Sequence, residues 1–338
     1  MANSPVLEQT PVLDTTSFVK KFPFSLNPTN LDGVYSIPAP PAGFDPNTAT
    51  QAELTRQGLL WRKPTAGDPP EVQQAWTKFF SQKWDPAKRI VPQLQPQVGV
   101  SHNLKKLPVK QSDGSYIGGV WSGAGSNSGT WSSIIGYWTI PTVSKPTEPQ
   151  GNEGGWNSSS WLGLDGMFTS DDVLQAGVQQ KVSANGVASY IAWFEWFAPA
   201  KPNSPPYIWQ TNIANFPVSP GQQVYCSVQY SGKTAGVISF ANEATGQHFS
   251  VTLAPPPGAT FNGSSYEWIV EAPDGGEPTS ALPKFTPVTF TSALACNAAF
   301  TATGNPAVAS TMNIETTGGK VLTSVAVGTD TATIKFIG

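Results

Sequence analysis

Tyr266-Glu267-Trp268-Ile269-Val270-Glu271 alternates as a β-strand alternates. Successive strand side chains point to opposite faces, so Tyr266, Trp268 and Val270 share one face and Glu267, Ile269 and Glu271 the other. The first face suits a core. The second puts two carboxylates around an isoleucine, which an ordinary half-buried strand does not do. Carboxylates gathered in a cleft are a standard source of acid/base chemistry. Only 12% of the residues are charged, so each carboxylate is informative.

Outward from this strand the texture is that of an all-β protein. Gly and Pro number 32 each among 338 residues, with 12 Trp. From about Gly118 the chain reads as strands near 118–124, 130–140, 159–165, 173–178, 187–197, 207–213, 222–230, 234–241, 247–253, 265–271, 286–292, 308–316 and 321–336. Turn signals such as Ser219-Pro220-Gly221 and Thr317-Gly318-Gly319 separate them. Many strands with no helical pattern between them predict an all-β sandwich or jelly roll.

The first 115 residues differ. About 45 of them, rich in Pro, Asn and Ser, read as an extended arm. Thr50-Gln51-Ala52-Glu53 has the form of a capping box, which predicts a helix near 50–61. A second helix is predicted near 70–84, with Val72, Trp76, Phe79 and Phe80 as its apolar stripe. Residues 90–117 read as a linker. The expected division is 1–115 as a partly helical N-terminal segment and 116–338 as the sandwich.

Charge follows the same division. Residues 1–110 hold 12 Lys/Arg and 8 Asp/Glu, 12 − 8 = +4; residues 111–338 hold 7 Lys and 14 Asp/Glu, 7 − 14 = −7. An acidic larger part argues against nucleic acid as a partner. No apolar run approaches the ~20 residues of a membrane span, and no signal peptide is visible at the N-terminus. Two histidines, His102 and His248, and two cysteines, Cys226 and Cys296, form no zinc pattern, so no metal or other cofactor is expected. The cysteines could pair or remain free.

Two more strands carry polar groups in apolar company. In Ile191-Ala192-Trp193-Phe194-Glu195-Trp196-Phe197 both faces are apolar apart from Glu195, which needs a partner or a cleft. In Val173-Leu174-Gln175-Ala176-Gly177-Val178, Gln175 faces away from Leu174 and Ala176, and Gly177 lets another group approach the backbone. Loop-bonded buried polar groups would account for any one of these strands. Three in one domain, with many Trp, point to a lined groove.

These residues carry a resemblance. Val120-Trp121-Ser122-Gly123, Gly136-Tyr137-Trp138-Thr139-Ile140-Pro141, Trp161-Leu162-Gly163-Leu164-Asp165-Gly166, Leu174-Gln175-Ala176-Gly177, Ala192-Trp193-Phe194-Glu195-Trp196 and Glu267-Trp268-Ile269-Val270-Glu271 follow one another as in the glutamic peptidases, or eqolisins. The chain from about Trp121 to Val288 resembles that family. The resemblance implies an acid endopeptidase with polypeptide substrates, folded as a jelly-roll or concanavalin-like β-sandwich of two large antiparallel sheets. It places the catalytic pair at Gln175 and Glu271, substrate contacts at Trp121, Trp161, Asp165 and Glu195, and supporting roles at Glu267 and Gly177. It also implies secretion, and a propeptide in residues 1–115. The 50–84 helices are then expected to cover the acidic cleft at neutral pH, and acid to release a chain starting near residue 115. Ile191 and Phe194 depart from the family's type member, which has Asp and Tyr there, so this cleft is less acidic.

Two other readings stay open on the residues alone. Jelly-roll glycosidases also set carboxylates in a Trp-lined groove, although their Glu-bearing strands carry an Asp where Ile269 stands. A sugar- or peptide-binding sandwich would use the Trp residues but does not require both Gln175 and Glu271.

Overall fold

The computed structural model describes residues 15–81, 85–97, 108–146, 155–168, 172–198, 210–232, 234–256, 258–273, 282–316 and 318–338. Two ten-stranded sheets pack face to face. The front sheet contains Leu94–Pro96 (β1), Val109–Lys110 (β2), Tyr116–Gly119 (β3), Trp121–Ser126 (β4), Trp156–Leu164 (β5), Val173–Val182 (β6), Ala188–Phe197 (β7), Thr211–Ile213 (β8), Tyr266–Glu271 (β9) and Ser310–Ile314 (β10). Their order is β1-β8-β7-β6-β5-β9-β4-β10-β3-β2. All pairings are antiparallel except β10 with β3, which is parallel. The back sheet is built around Ser133–Thr139, Gln223–Ser231, Ala235–Asn242, His248–Leu253 and Val288–Cys296.

Period-two alternation places the core. Leu162, Leu174, Ala176, Phe194, Trp268 and Val270 from the front sheet pack with Trp138, Val224, Val228, Ile238 and Phe290 from the back sheet. The opposite front-sheet residues form a separate outer cluster of Trp121, Trp161, Trp193 and Ile269. The strand read at 321–336 is two strands, Thr323–Val327 and Ala332–Phe336, joined by a turn. The strand read at 207–213 is seen as Thr211–Ile213; residues 207–209 lie outside the described residues. Cys226 and Cys296 are both free and buried, and burial pushes the Cys296 thiol up to about 12.

The N-terminal segment is woven into both sheets. Asn27–Pro28 and Val34–Ser36 extend the back sheet beyond His248–Leu253. The linker read at 90–117 instead supplies β1 to one edge of the front sheet and β2 and part of β3 to the other. Among the described residues three α-helices precede them: Thr15–Val19 (α1), Gln51–Arg56 (α2) and Pro70–Ser81 (α3). α2 opens on the expected capping box, in which Thr50 accepts from the Glu53 N–H and the Glu53 carboxylate accepts from the Thr50 N–H. α3 is seen to Ser81, and residues 82–84 lie outside the described residues.

The helices correct one expectation. The stripe Val72, Trp76, Phe79 and Phe80 is buried as read, but against Ile135, Tyr137, Tyr225, Leu294 and Cys296. Those residues form the outer face of the back sheet, so α2 and α3 do not cover the front sheet, where the candidate catalytic residues lie. The reason lies in the amphipathic pattern. An apolar stripe seeks an apolar surface, and this back-sheet face presents tyrosines and aliphatic residues rather than carboxylates. Lys78 adds a contact over the Tyr137 ring and a hydrogen bond to Ser292, and Arg62 bonds the Ala299 carbonyl. Val72→Ala is expected to lower stability to urea by about 2 kcal/mol while leaving substrate turnover unchanged. A variant as stable as the parent would show that this docking adds nothing to the fold.

Candidate active site

The strand register assembles the site on the outer face of the front sheet. Three cross-strand rows face outward. Glu195, Gln175, Gly163, Glu267 and Gly125 make the first, running from β7 through β6, β5 and β9 to β4. Trp193, Gly177, Trp161, Ile269 and Gly123 make the second. Ile191, Gln179, Ser159, Glu271 and Trp121 make the third. Residues at positions 121, 161, 175, 177, 195, 267 and 271, distant in sequence, thus occupy one patch.

Within the patch the polar groups are held firmly. Gln175 Nε2 donates to Glu195 Oε2 at 3.0 Å. Trp161 Nε1 donates to Glu271 Oε2 at 2.9 Å. Gln175 and Glu271 sit two strands apart and four residues along the strand direction, with Trp161 between them. The Trp161 ring meets Trp121 edge-on, centroids 4.8 Å apart. Gln175, Glu195 and Glu267 are fully buried, and Glu271 is 1% exposed.

Two glycines make this packing feasible. Gly163 stands between Gln175 and Glu267, where an added Cβ would meet the Gln175 Cβ at 3.0 Å. At Gly177 an added Cβ would fall 2.3 Å from the Ser160 carbonyl oxygen and 2.5 Å from the Trp161 Cβ. Gly177→Ala is therefore expected to displace Trp161 and the Glu271 carboxylate bonded to it. Errors of about 1 Å in reacting groups cost roughly 100-fold, so kcat/KM should fall by about 10- to 100-fold. Unchanged kinetics in a folded Gly177→Ala protein would remove Gly177 from the support of the site.

Burial pushes the Glu267 carboxyl well above the ordinary glutamate range, and the negative charge of Asp165 pushes it further. Glu267 is thus neutral across the acid range. Asp165 ends β5 in a left-handed conformation, φ 67°. One of its oxygens accepts from the Ser264 N–H at 2.7 Å and the Ser264 hydroxyl at 2.8 Å, and the other from the Gly263 N–H at 2.9 Å. Asp165 holds the 262–264 turn that leads into β9, next to the patch rather than within its rows.

The structure also brings in residues that the sequence reading left out. Trp193 Nε1 donates to Ser159 Oγ at 2.8 Å, and Gln210 Nε2 donates to Gln179 Oε1 at 3.1 Å. Gln179 was within reach of simple alternation, being four residues from Gln175 on the same strand. Ser159 carries no such signal, because its place depends on the β5 register. Among the described residues no three His, Cys, Asp or Glu side chains are grouped to hold a metal ion.

Comparison with known proteins places this geometry in context. The sequence profile of the Peptidase A4 family matches residues 119–336. Aspergillopepsin-2 from Aspergillus niger is 29% identical over 230 residues, 64% of this chain and 77% of the relative. The crystal structure of scytalido-glutamic peptidase with a transition state analog inhibitor has a TM-score of 0.52 at 18% identity, covering 64% of this chain and 98% of that one. SCP-B, a member of the eqolisin family solved with the tripeptide Ala-Ile-His, has a TM-score of 0.50 at 18% identity over the same shares. The two structures share the β-sandwich, and the profile match decides against the glycosidase and binding-module readings.

Proposed function

This chain belongs to the Peptidase A4 family and is a peptidase, and we propose that it is an acid endopeptidase acting through Gln175 and Glu271. The observation that carries the reading is the single buried patch that gathers Gln175, Glu271, Trp121, Trp161 and Glu195 on the front sheet. Ionised Glu271 takes a proton from a water molecule, which attacks the carbonyl carbon of the scissile peptide bond. The Gln175 amide N–H donates to the oxyanion that develops. Glu271 then returns the proton to the leaving amine as the C–N bond breaks.

The surrounding bonds suit those roles. Glu195 accepts from Gln175 Nε2 and so fixes which way the amide points. Trp161 fixes the Glu271 carboxylate. A neutral Glu267 adds no second negative charge beside the base, unlike a pair of coupled aspartates. Trp121 and Trp161 line the path for polypeptide substrate, and Asp165 shapes it through the 262–264 turn. No cofactor enters the scheme.

The family resemblance implies secretion, and among the described residues no helix is long and apolar enough to cross a membrane. We include secretion in the proposal. We also include residues 1–115 as a segment that restrains the 116–338 sandwich within the same chain. The test is hydrolysis of an unfolded protein from about pH 2 to 7. Cleavage is expected in the acid part of that range, insensitive to metal chelators and serine-protease reagents. Absence of acid cleavage, or its loss with a chelator, would sink the reading.

A further inference from the structure

The outer face of the back sheet is covered in two different ways. Where it presents Ile135, Tyr137 and Tyr225, the apolar stripe of α3 packs directly on it. Beside Ile135 the same register row continues through Ser227, Ser239 and Ser250 on three neighbouring strands. Above that serine row the chain is apolar, with Pro41 and Phe44 from the arm, Leu59 and Trp61 after α2, and Phe80 from α3. Hydroxyls and apolar rings are poor partners, and a cavity of about 400 Å³ lies between them. Ser239 and Ser250 bond each other on its floor at 2.7 Å. The volume falls in the range of small-molecule sites, which combine an apolar lining with a few placed polar groups.

The lining also carries a positive charge without a counter-charge. Arg89 is half-buried and faces the cavity. Its Nε and Nη2 donate to the Ile37 carbonyl at 3.1 and 2.6 Å, which fixes the guanidinium and leaves its outer Nη1/Nη2 edge. Among the described residues the only ion pair joins Arg62 and Asp68, so no carboxylate pairs Arg89. Burial pushes the Arg89 pKa down to about 10, which keeps the group charged in neutral and acid solution but makes that charge costly. His248, 2% exposed, bridges to Arg89 along the backbone and lines the same cavity. The nearby acids are engaged elsewhere. Asp45 is exposed and accepts from the Asn47 N–H and the Thr48 hydroxyl, and Asp85 caps the Pro86–Lys88 turn through the Ala87 N–H.

We propose that this cavity is a binding site for a small molecule that joins an apolar body to one carboxylate. The carboxylate takes the outer edge of the Arg89 fork, whose paired N–H groups match its two oxygens. The apolar body lies against Phe44, Leu59 and Trp61 and keeps water from the ion pair. Because Arg89 is already bonded to the arm at Ile37 and bridged to the sheet at His248, the ligand ties the arm to the back sheet. A free aliphatic or aromatic acid and the C-terminus of a short apolar peptide share this chemistry. The site lies on the opposite sheet from Gln175 and Glu271, so it stands or falls apart from the peptidase reading.

The test is calorimetric titration of the full chain with octanoate and with octanamide at about pH 6, where a carboxylate is ionised. Octanoate should bind as one molecule per chain, at least about tenfold tighter than the neutral amide, the margin of a charge-assisted hydrogen bond. It should also raise the urea midpoint, as any ligand of the native state does. Arg89→Met should bring acid and amide to the same affinity. Ser239→Leu pushes a branched side chain into the cavity from its floor and should weaken octanoate at least about tenfold, whereas Glu271→Gln should bind it as the parent does. Displacement of octanoate by N-acetyl-Leu-Phe upholds the site as one for peptide C-termini, and no displacement upholds it as one for free acids. Absence of saturable octanoate binding, equal binding of acid and amide by the natural chain, or undiminished binding in folded Ser239→Leu overturns the proposal. Should Arg89→Met not fold, the acid and amide on the natural chain decide the role of charge, and Ser239→Leu decides the location.

Discussion

Glu271→Gln is expected to lower kcat for peptide hydrolysis by about 10²–10⁴-fold, the usual contribution of a general base. The substitution keeps the shape of the side chain and an oxygen that can accept from Trp161 Nε1, now 2.9 Å from the Glu271 carboxylate. KM and thermal stability should therefore change little, and the loss should appear in kcat. Glu267→Gln is the matched control. Glu267 is held neutral by burial and by the Asp165 charge, so a neutral amide there resembles the protonated acid and acid-range turnover should survive. Its stability carries a sign of its own. A raised native pKa means that the folded chain holds a proton the unfolded chain releases above the ordinary glutamate range, so Glu267 costs stability as pH rises from there. Glu267→Gln should gain on the parent toward neutral pH and match it in strong acid. Full activity in Glu271→Gln, or equal damage from both substitutions, would refute the assignment of the base.

The second large effect concerns stability in acid. His248 is 2% exposed, and together with Arg89 it lines a cavity of about 400 Å³ between the N-terminal arm and the back sheet. Burial, helped by the Arg89 charge and opposed by the Gly246 carbonyl and Asp85, lowers its pKa to about 4. Above the ordinary histidine pKa neither state is charged and no penalty arises. As pH falls from there to about 4, the unfolded chain takes up a proton that the native chain refuses. A tenfold difference in proton affinity between the two states is worth about 1.4 kcal/mol, so the native state loses up to about 3 kcal/mol relative to neutral pH. His248→Gln removes that titration. Urea midpoints should show the variant gaining on the parent by up to about 3 kcal/mol between pH 7 and pH 3. Parallel curves for the two proteins would mean that His248 is already charged, or already solvated, in the native state. The effect matters where the arm is anchored, because Ile90 N–H donates to the His248 carbonyl and Arg89 donates to the Ile37 carbonyl.

Much of this protein was legible in its residues. Alternation along 173–178, 191–197 and 266–271 was enough to say which side chains share a face, since a strand allows two directions and no others. The α3 stripe was legible for the same reason at helical period, and the Thr50/Glu53 box because it is a local hydrogen-bond pattern. The order of the family-like stretches carried Gln175 and Glu271. Position across strands was not legible. That Glu195 meets Gln175, that Trp161 rather than Gln175 holds the Glu271 carboxylate, and that Asp165 is spent on the 262–264 turn all depend on which strands are neighbours and at what register. The helices show the same limit. Their stripe announced that they cover something, and charge suggested the acidic cleft, but burial of apolar area outweighs long-range attraction and took them to the back sheet. The sequence by itself determined the two-faced strands and the chemistry of their polar face, because those follow from nearest-neighbour geometry. The tertiary structure alone decided which polar groups meet, which sheet the helices cover, and that one chain binds both edges of the front sheet. Each of these is a pairing between residues far apart in the chain, settled only when the competing surfaces are folded together.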